Sequence, residues 1–456
     1  MEKLFEELFS RVSISKQKLA NDLAMSRSFI QRVISGEKAM SENMYNALMA
    51  LDYIPEDIKR RFAAEFCSAK YGEEMCGLFS EFLFHADIRA YDVRFVPLKE
   101  VVPSGENDII TGIENICNAA YCLTNGSKNV CTNYPFRFLE LDSVLYRAEM
   151  GEFVHLVYIP EKLNKEAVDT YWQLLHWGLK KTVPYATKRN LFPGTYQFFI
   201  IADDRLMLLN DDCTNAVVID NAAAAENYRT QFMKLVEKSA PAFKIVSDET
   251  ELLAAPAIGL MQSSHNDSID TTLCPCYTYD YYALNEISRY DTMTPKLREE
   301  LMRGLLNYYE CAKKINHDLI MTADGLESYA NDGDMVIVSE RYVNKCEPAL
   351  RARTFGKLLD GADMPDFKLV KKDAVNLPAG FIFEITDTVL ITHLYFENKM
   401  ENPYEVFMQI PLDLYDGLAS FAGSLFEYLA GPVFTMTPLQ KKYFLTQMKN
   451  KCENME

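Results

Sequence analysis

Apolar side chains at Leu4, Phe5, Leu8, Phe9 and Val12 recur with the spacing of one helical face, and charged residues fill most positions between them. Ser15 stands where it can cap a second helix over residues 16–23, which buries Leu19, Ala20 and Leu23. Ser26 can cap a third over residues 26–34, which buries Phe29 or Ile30 together with Val33 and Ile34, and Gly36 stops it. Ser41 caps a fourth helix, and Pro55 opens a fifth. Five short helices within residues 1–66 predict a compact all-α domain.

Residues 56–90 continue the helical pattern, and Phe62, Phe66, Met75, Leu78, Phe79, Phe82 and Leu83 could line one face. Such a stripe is a core or a subunit contact. Pro97, Pro103 and Gly105 then interrupt the pattern among charged residues, so residues 67–106 read as a helical connector and linker.

Beyond the linker the period changes. An apolar strand is expected over 153–159 and a helix over 166–179 with Trp172 and Trp177. Residues 196–202 and 206–209 read as a hairpin turning at Asp203-Asp204-Arg205, followed by a strand over 216–219. A helix over 221–238 places Tyr228, Phe232 and Leu235 on one side. The order recurs later: a strand over 335–338, a helix over 350–359, a Pro-Gly segment over 377–387 resembling 192–203, and a helix over 414–429. This predicts two tandem α/β units, 107–256 and 257–456, with a ligand pocket between them. The fold class expected is multidomain, an all-α bundle followed by an α/β region.

Composition narrows the class. The 456 residues are 48% hydrophobic and 25% charged, as in globular chains. No run of about 18 apolar residues predicts a membrane span, and the start of the chain lacks a secretory pattern, so the cytoplasm is expected. The eleven cysteines are irregularly spaced, Cys274-Pro-Cys276 being the tightest pair, and read as free thiols rather than a disulfide framework or metal site. His85, His155, His176, His265, His317 and His393 stand in no metal-ligand spacing, and phosphate-loop, dinucleotide and hydrolase signatures are lacking. No cofactor and no metal are expected.

The net charge of −18 at first argues against DNA. Its distribution changes that picture. Residues 1–62 hold ten basic and nine acidic side chains, a net of +1, which leaves −19 for the rest. Arg11, Lys16, Lys18, Arg27, Arg32 and Lys38 face only Asp22 and Glu37 within 11–38. A local basic face on an acidic body can attract phosphate.

The segment KQKLANDLAMSRSFIQRVISGEK resembles the lambda-repressor-like (XRE) family of helix-turn-helix domains. Leu19-Ala20 matches the family's Leu-Ala pair, Ile30 and Val33 its buried positions in the recognition helix, and Ser35-Gly36 its exit. Ala24 replaces the usual turn glycine, and Lys16 stands where glutamine is common. The resemblance implies that Arg27, Ser28, Gln31 and Arg32 point to base edges. It also implies that Lys16, Gln17, Ser26 and Lys38 contact phosphates. The expected partner is double-stranded DNA, bound by a homodimer because one such motif makes few base contacts. A small-molecule or protein effector on the C-terminal region would complete a transcription regulator of bacterial type, a repressor or an activator.

The element order of the C-terminal region is similar to that of phospholipase-D-like domains, which need His-x-Lys followed by Asp. Gln197, Phe199 and Asp204 fill that spacing, so the resemblance implies an inactive copy. Two other readings stay open: a protein-interaction regulator of antitoxin or defence type, and an enzyme of unknown type carrying a DNA-binding domain. Acidic pairs and the tyrosines at 277, 279, 281 and 282 point to neither.

Overall fold

The computed structural model describes residues 1–86, 108–135, 139–159, 183–188, 195–245, 265–271, 281–288, 293–312, 316–333, 344–361, 366–377, 380–396, 404–414 and 416–455, with 162–165, 167–168 and 170–172. An N-terminal helical region is followed by an α/β region with two mixed sheets.

The first five helices are α1 (Glu2–Val12), α2 (Lys16–Asp22), α3 (Arg27–Ile34), α4 (Glu42–Met49) and α5 (Glu56–Tyr71). Ser15, Ser26 and Ser41 cap α2, α3 and α4, each hydroxyl accepting a first-turn backbone N–H at 3.1–3.3 Å. Each such cap stabilises its helix by about 1 kcal/mol. Phe5, Leu19, Ala20, Ile30, Val33, Met44, Leu48 and Phe62 close one core between the five helices.

The helix expected to run unbroken past residue 56 ends at Gly72. Its φ of +85° takes the chain out of the helical region, and α6 (Glu73–Ala86) starts afresh. The break divides the expected stripe. Phe62 and Phe66 belong to the bundle core, whereas Leu78, Phe79 and Phe82 belong to the core of the α/β region.

Sheet one holds β1 (Asp108–Thr111), β2 (Asn129–Thr132), β3 (Glu152–Tyr158), β4 (Tyr185–Thr187), β5 (Phe198–Ala202), β6 (Arg205–Leu209), β7 (Asn215–Ile219) and β8 (Ala240–Pro241), in the order β1-β7-β6-β5-β2-β3-β4-β8. One face carries α7 (Ile113–Thr124) and α8 (Leu139–Arg147), and the other carries α9 (Ala222–Val236). Cover on both faces explains why β5 reads as an unbroken apolar run, Phe-Phe-Ile-Ile-Ala, with every residue buried. The hairpin turns at Asp203-Asp204 as expected.

Sheet two holds β9 (Lys244–Ile245), β10 (His265–Asp270), β11 (Asn316–Thr322), β12 (Phe367–Val370), β13 (Ile382–Ile385), β14 (Val389–Phe396) and β15 (Tyr404–Pro411), ordered β12-β11-β10-β13-β14-β15-β9. It repeats the topology of sheet one. In each, three parallel strands (β2, β3, β4 and β10, β11, β12) meet an antiparallel meander (β5, β6, β7 and β13, β14, β15). A helix follows each meander, α9 in the first and α14 (Leu418–Leu429) in the second. The chain then returns to the last parallel strand, β8 pairing with β4 and Thr435 bridging Val370 of β12.

Two details of the expected repeat change. The counterpart of β3 is β11, not residues 335–338, which lie outside the described residues. Its polar start, Asn-His-Asp, hid it from an apolar pattern. Residues 244–245, assigned by sequence to the first unit, pair with β15 of the second sheet.

Helices α10 (Tyr281–Ile287), α11 (Pro295–Ala312), α12 (Ala323–Asp332), α13 (Pro348–Asp360) and α15 (Pro438–Glu453) pack on the parallel side of sheet two. Gly325 in α12 lies so close to β10 that an added Cβ would sit 1.7 Å from the Thr271 carbonyl oxygen. No helix among the described residues is long and apolar enough to cross a membrane.

Where the sequence predicted a ligand cleft between the units, the described residues form an apolar core with α6 inserted. Phe82 packs against Trp172 of the first unit at 4.9 Å between ring centroids and against Phe383 and Phe421 of the second at 5.4 and 5.7 Å. The space left beside Phe82 is about 10 Å³ with apolar walls, too small for an organic ligand.

Candidate nucleic-acid interface

The arrangement of α2 and α3 is set by the turn between them. Ala24 has φ +54°, its N–H donates to the Asn21 carbonyl at 3.0 Å, and the Met25 N–H reaches back to the Ala20 carbonyl at 2.9 Å. This pair of bonds is the left-handed helix ending that glycine adopts most easily. Ala20 is fully buried where α2 meets α3, which explains the need for a small side chain.

Ile30, Val33 and Ile34 anchor α3 in the bundle. Arg27, Ser28, Gln31, Arg32 and Ser35 then fall on the opposite, exposed side, following the 3.6-residue period. The four residues expected to read bases therefore lie together on one face. Ser26 accepts the Phe29 N–H at 3.2 Å, and the Ile30 N–H bonds to the Ser26 carbonyl. The first-turn N–H groups of Arg27 and Ser28 have no intrahelical acceptor, which leaves a positively polarised helix start.

The charges divide by face. Arg11 forks onto Asp57 at 2.5 and 3.3 Å and also meets Glu7, while Arg61 meets Glu7 at 2.5 Å. Arg61 and Arg11 hold the Glu7 carboxyl below its ordinary range, and Arg11 does the same for Asp57. Arg11, counted by sequence with the basic face, is thus neutralised on the far helices. Lys18 lies 5.6 Å above the Tyr53 ring, whose hydroxyl donates to Asp22 at 2.7 Å. Among the described residues Arg27 and Arg32 form no ion pair.

The expected phosphate contacts surround this face with different local ties. Lys16 donates to the Gln31 amide oxygen at 2.9 Å, joining the start of α2 to the middle of α3. Gln17 turns along its own helix to Asn21 at 3.0 Å. Ser26 is occupied as a cap and also lies 3.2 Å from the Ser28 hydroxyl. Lys38 rests 4.8 Å over the Phe29 ring. The Lys16–Gln31 contact was not visible in the sequence, because fifteen residues separate the partners and no local period links them.

The positions compared with phospholipase-D chemistry have other duties. Phe199 is buried against Tyr228 and Phe232, the Gln197 amide donates to Asp211, and Asp204 is exposed in the hairpin turn. His155 is buried in β3, its Nε2–H donating to the Tyr134 carbonyl at 2.9 Å, and burial pushes its pKa down to about 3. Asp270, at the end of β10 in the other sheet, accepts from the Ser268 hydroxyl at 2.6 Å, and burial raises it to about 7. Among the described residues no three His, Cys, Asp or Glu side chains are grouped to hold a metal.

No protein-family model and no curated protein matches the chain. Among solved structures it is similar to TrmBL2, an archaeal chromatin protein described as showing a novel mode of DNA binding, at 11% identity over 47% of this chain and 81% of that one, with a TM-score of 0.23. A phosphatidylserine synthase from Haemophilus influenzae Rd KW20 aligns at 7% identity over 82% of this chain and 98% of that one, with a TM-score of 0.24. At these scores neither superposition carries an argument about fold or function.

Proposed function

We propose that this chain is a sequence-specific DNA-binding transcription regulator whose residues 1–66 form a helix-turn-helix domain of the lambda-repressor-like type. The observation that carries the proposal is the outer face of α3, where Arg27 and Arg32 are exposed beside an open helix start and form no ion pair among the described residues, while Arg11 and Arg61 on the far helices are neutralised by Asp57 and Glu7. Arginine donates two hydrogen bonds to guanine O6 and N7 in the major groove, so a G·C pair belongs in the site. In this reading Ser28 and Gln31 add contacts to base edges, and Lys16, Gln17, Ser26 and Lys38 contact the flanking phosphates.

The chain acts as a homodimer in this reading, since two half-sites one helical turn apart supply the contacts that one α3 lacks. The α/β region is a cytoplasmic sensor and oligomerisation body rather than an enzyme. Tyr428 of α14 touches both Tyr71 and Phe79, so movement in the body reaches α5 and α6 directly. The effector in this reading, a small molecule or a protein, acts on the α/β region.

The test is binding of the full chain to DNA from its own promoter region, with Arg27→Ala and Arg32→Ala alongside. Loss of about 1–3 kcal/mol per arginine at the specific site supports the reading. Equal binding by all three proteins removes α3 as the reader.

A further inference from the structure

We infer that Lys16 is a positioning residue that sets which base Gln31 reads, making the pair select guanine over adenine; this rests on the DNA-binding reading above. A free glutamine side chain suits adenine, because its amide oxygen accepts from N6 while its amide nitrogen donates to N7. Here the Lys16 ammonium donates to that oxygen at 2.9 Å. An ammonium has no acceptor, so chemistry alone fixes which end of the amide faces it. The amide nitrogen is then the end of the side chain left for a base, on a residue exposed like Arg27, Ser28 and Arg32. Lys16 therefore occupies one lone pair of the oxygen and places a positive charge at the acceptor end, so the pair presents a cation and the amide N–H donors. Adenine meets this with its own N6 donor opposed to a cation. Guanine meets it with two acceptors, O6 and N7, and cytosine offers a donor alone.

The geometry explains why lysine suits the first position of α2. A glutamine there could orient the Gln31 amide either way, since it both donates and accepts. Lysine allows one orientation. No element other than α2 supplies a side-chain partner to Gln31 among the contacts described.

The experiment is selection of bound sequences from a random DNA pool by the full-length protein, with Lys16→Met, Lys16→Arg and Gln31→Ala carried in parallel. The base read by Gln31 is the position whose preference Gln31→Ala abolishes. The wild-type chain should prefer guanine there by about tenfold, the size of one well-placed base contact. Lys16→Met should shift that one position to adenine, and Lys16→Arg, which keeps a cationic donor, should retain guanine. Binding by Lys16→Met that is weaker at every sequence, with the same base preference, overturns the inference and makes Lys16 a phosphate contact alone. A Gln31→Ala chain with an unchanged preference at all positions overturns it as well. If no version enriches any sequence, the DNA-binding reading itself falls, an outcome distinct from selection with an unaltered base.

Discussion

Replacing Ala24 by glycine should stabilise the helical bundle. At φ +54° an L-residue holds its Cβ against the following carbonyl oxygen, a strain of about 1–2 kcal/mol. Glycine removes it but widens the unfolded ensemble, which returns roughly 0.4–1 kcal/mol. Ala24 is exposed, so its methyl leaves no cavity, and both turn hydrogen bonds are made by backbone atoms and survive. The net gain is about 0.5–1 kcal/mol, or a rise in Tm of roughly 2–8 °C for a domain of this size. Thermal unfolding of a fragment ending at Tyr71, followed by circular dichroism, measures it. Ala24→Val is the control, since a β-branched residue at positive φ should lose at least as much as glycine gains. A glycine variant that is less stable than the parent would refute the reasoning, because the turn would then not be held in the left-handed region.

Three further outcomes follow from the same geometry. Ser26→Ala should cost the bundle about 1 kcal/mol through the lost cap and disturb the start of α3, read by urea unfolding together with DNA affinity. Asp270→Asn should change how stability depends on pH. The folded value of about 7 lies above the ordinary 3.8, so the aspartic acid's contribution is full below about pH 4 and is lost as pH rises through 7, at up to about 1.4 kcal/mol per unit. His155 runs the other way: its folded value of about 3 lies below 6.5, so its contribution is present above pH 6.5 and is lost as pH falls toward 3. With Asp270 removed, stability should rise with pH between 4 and 6.5, where the two slopes oppose in the native chain; parallel unfolding profiles for the two proteins would count against this.

The elements legible in the sequence are those fixed locally. Serine caps and Pro55 marked where α2 to α5 begin to within a residue, and Asp203-Asp204 marked the β5–β6 turn, because cap and turn chemistry act over three or four residues. What was not legible depends on distant partners. Phe66 and Phe79 look alike in a helical stripe, yet Gly72 sends them to different cores. Strand β11 is identified by its neighbours β10 and β12 rather than by its polar start. At the proposed interface, the exposed positions of α3 follow from period alone. The neutralisation of Arg11 by Asp57 and the tie from Lys16 to Gln31 required the tertiary fold.

The most direct test of the central claim is the salt dependence of DNA binding by the intact chain, compared with Arg27→Ala and Arg32→Ala. Binding should fall linearly on logarithmic axes as salt rises, with a slope of about −0.9 for each phosphate neutralised. The two substitutions should weaken the specific sequence far more than random DNA. Absence of salt-sensitive binding by both the intact chain and the fragment ending at Tyr71, which is freed from the acidic body, would contradict the claim and leave the bundle as a protein-contact module.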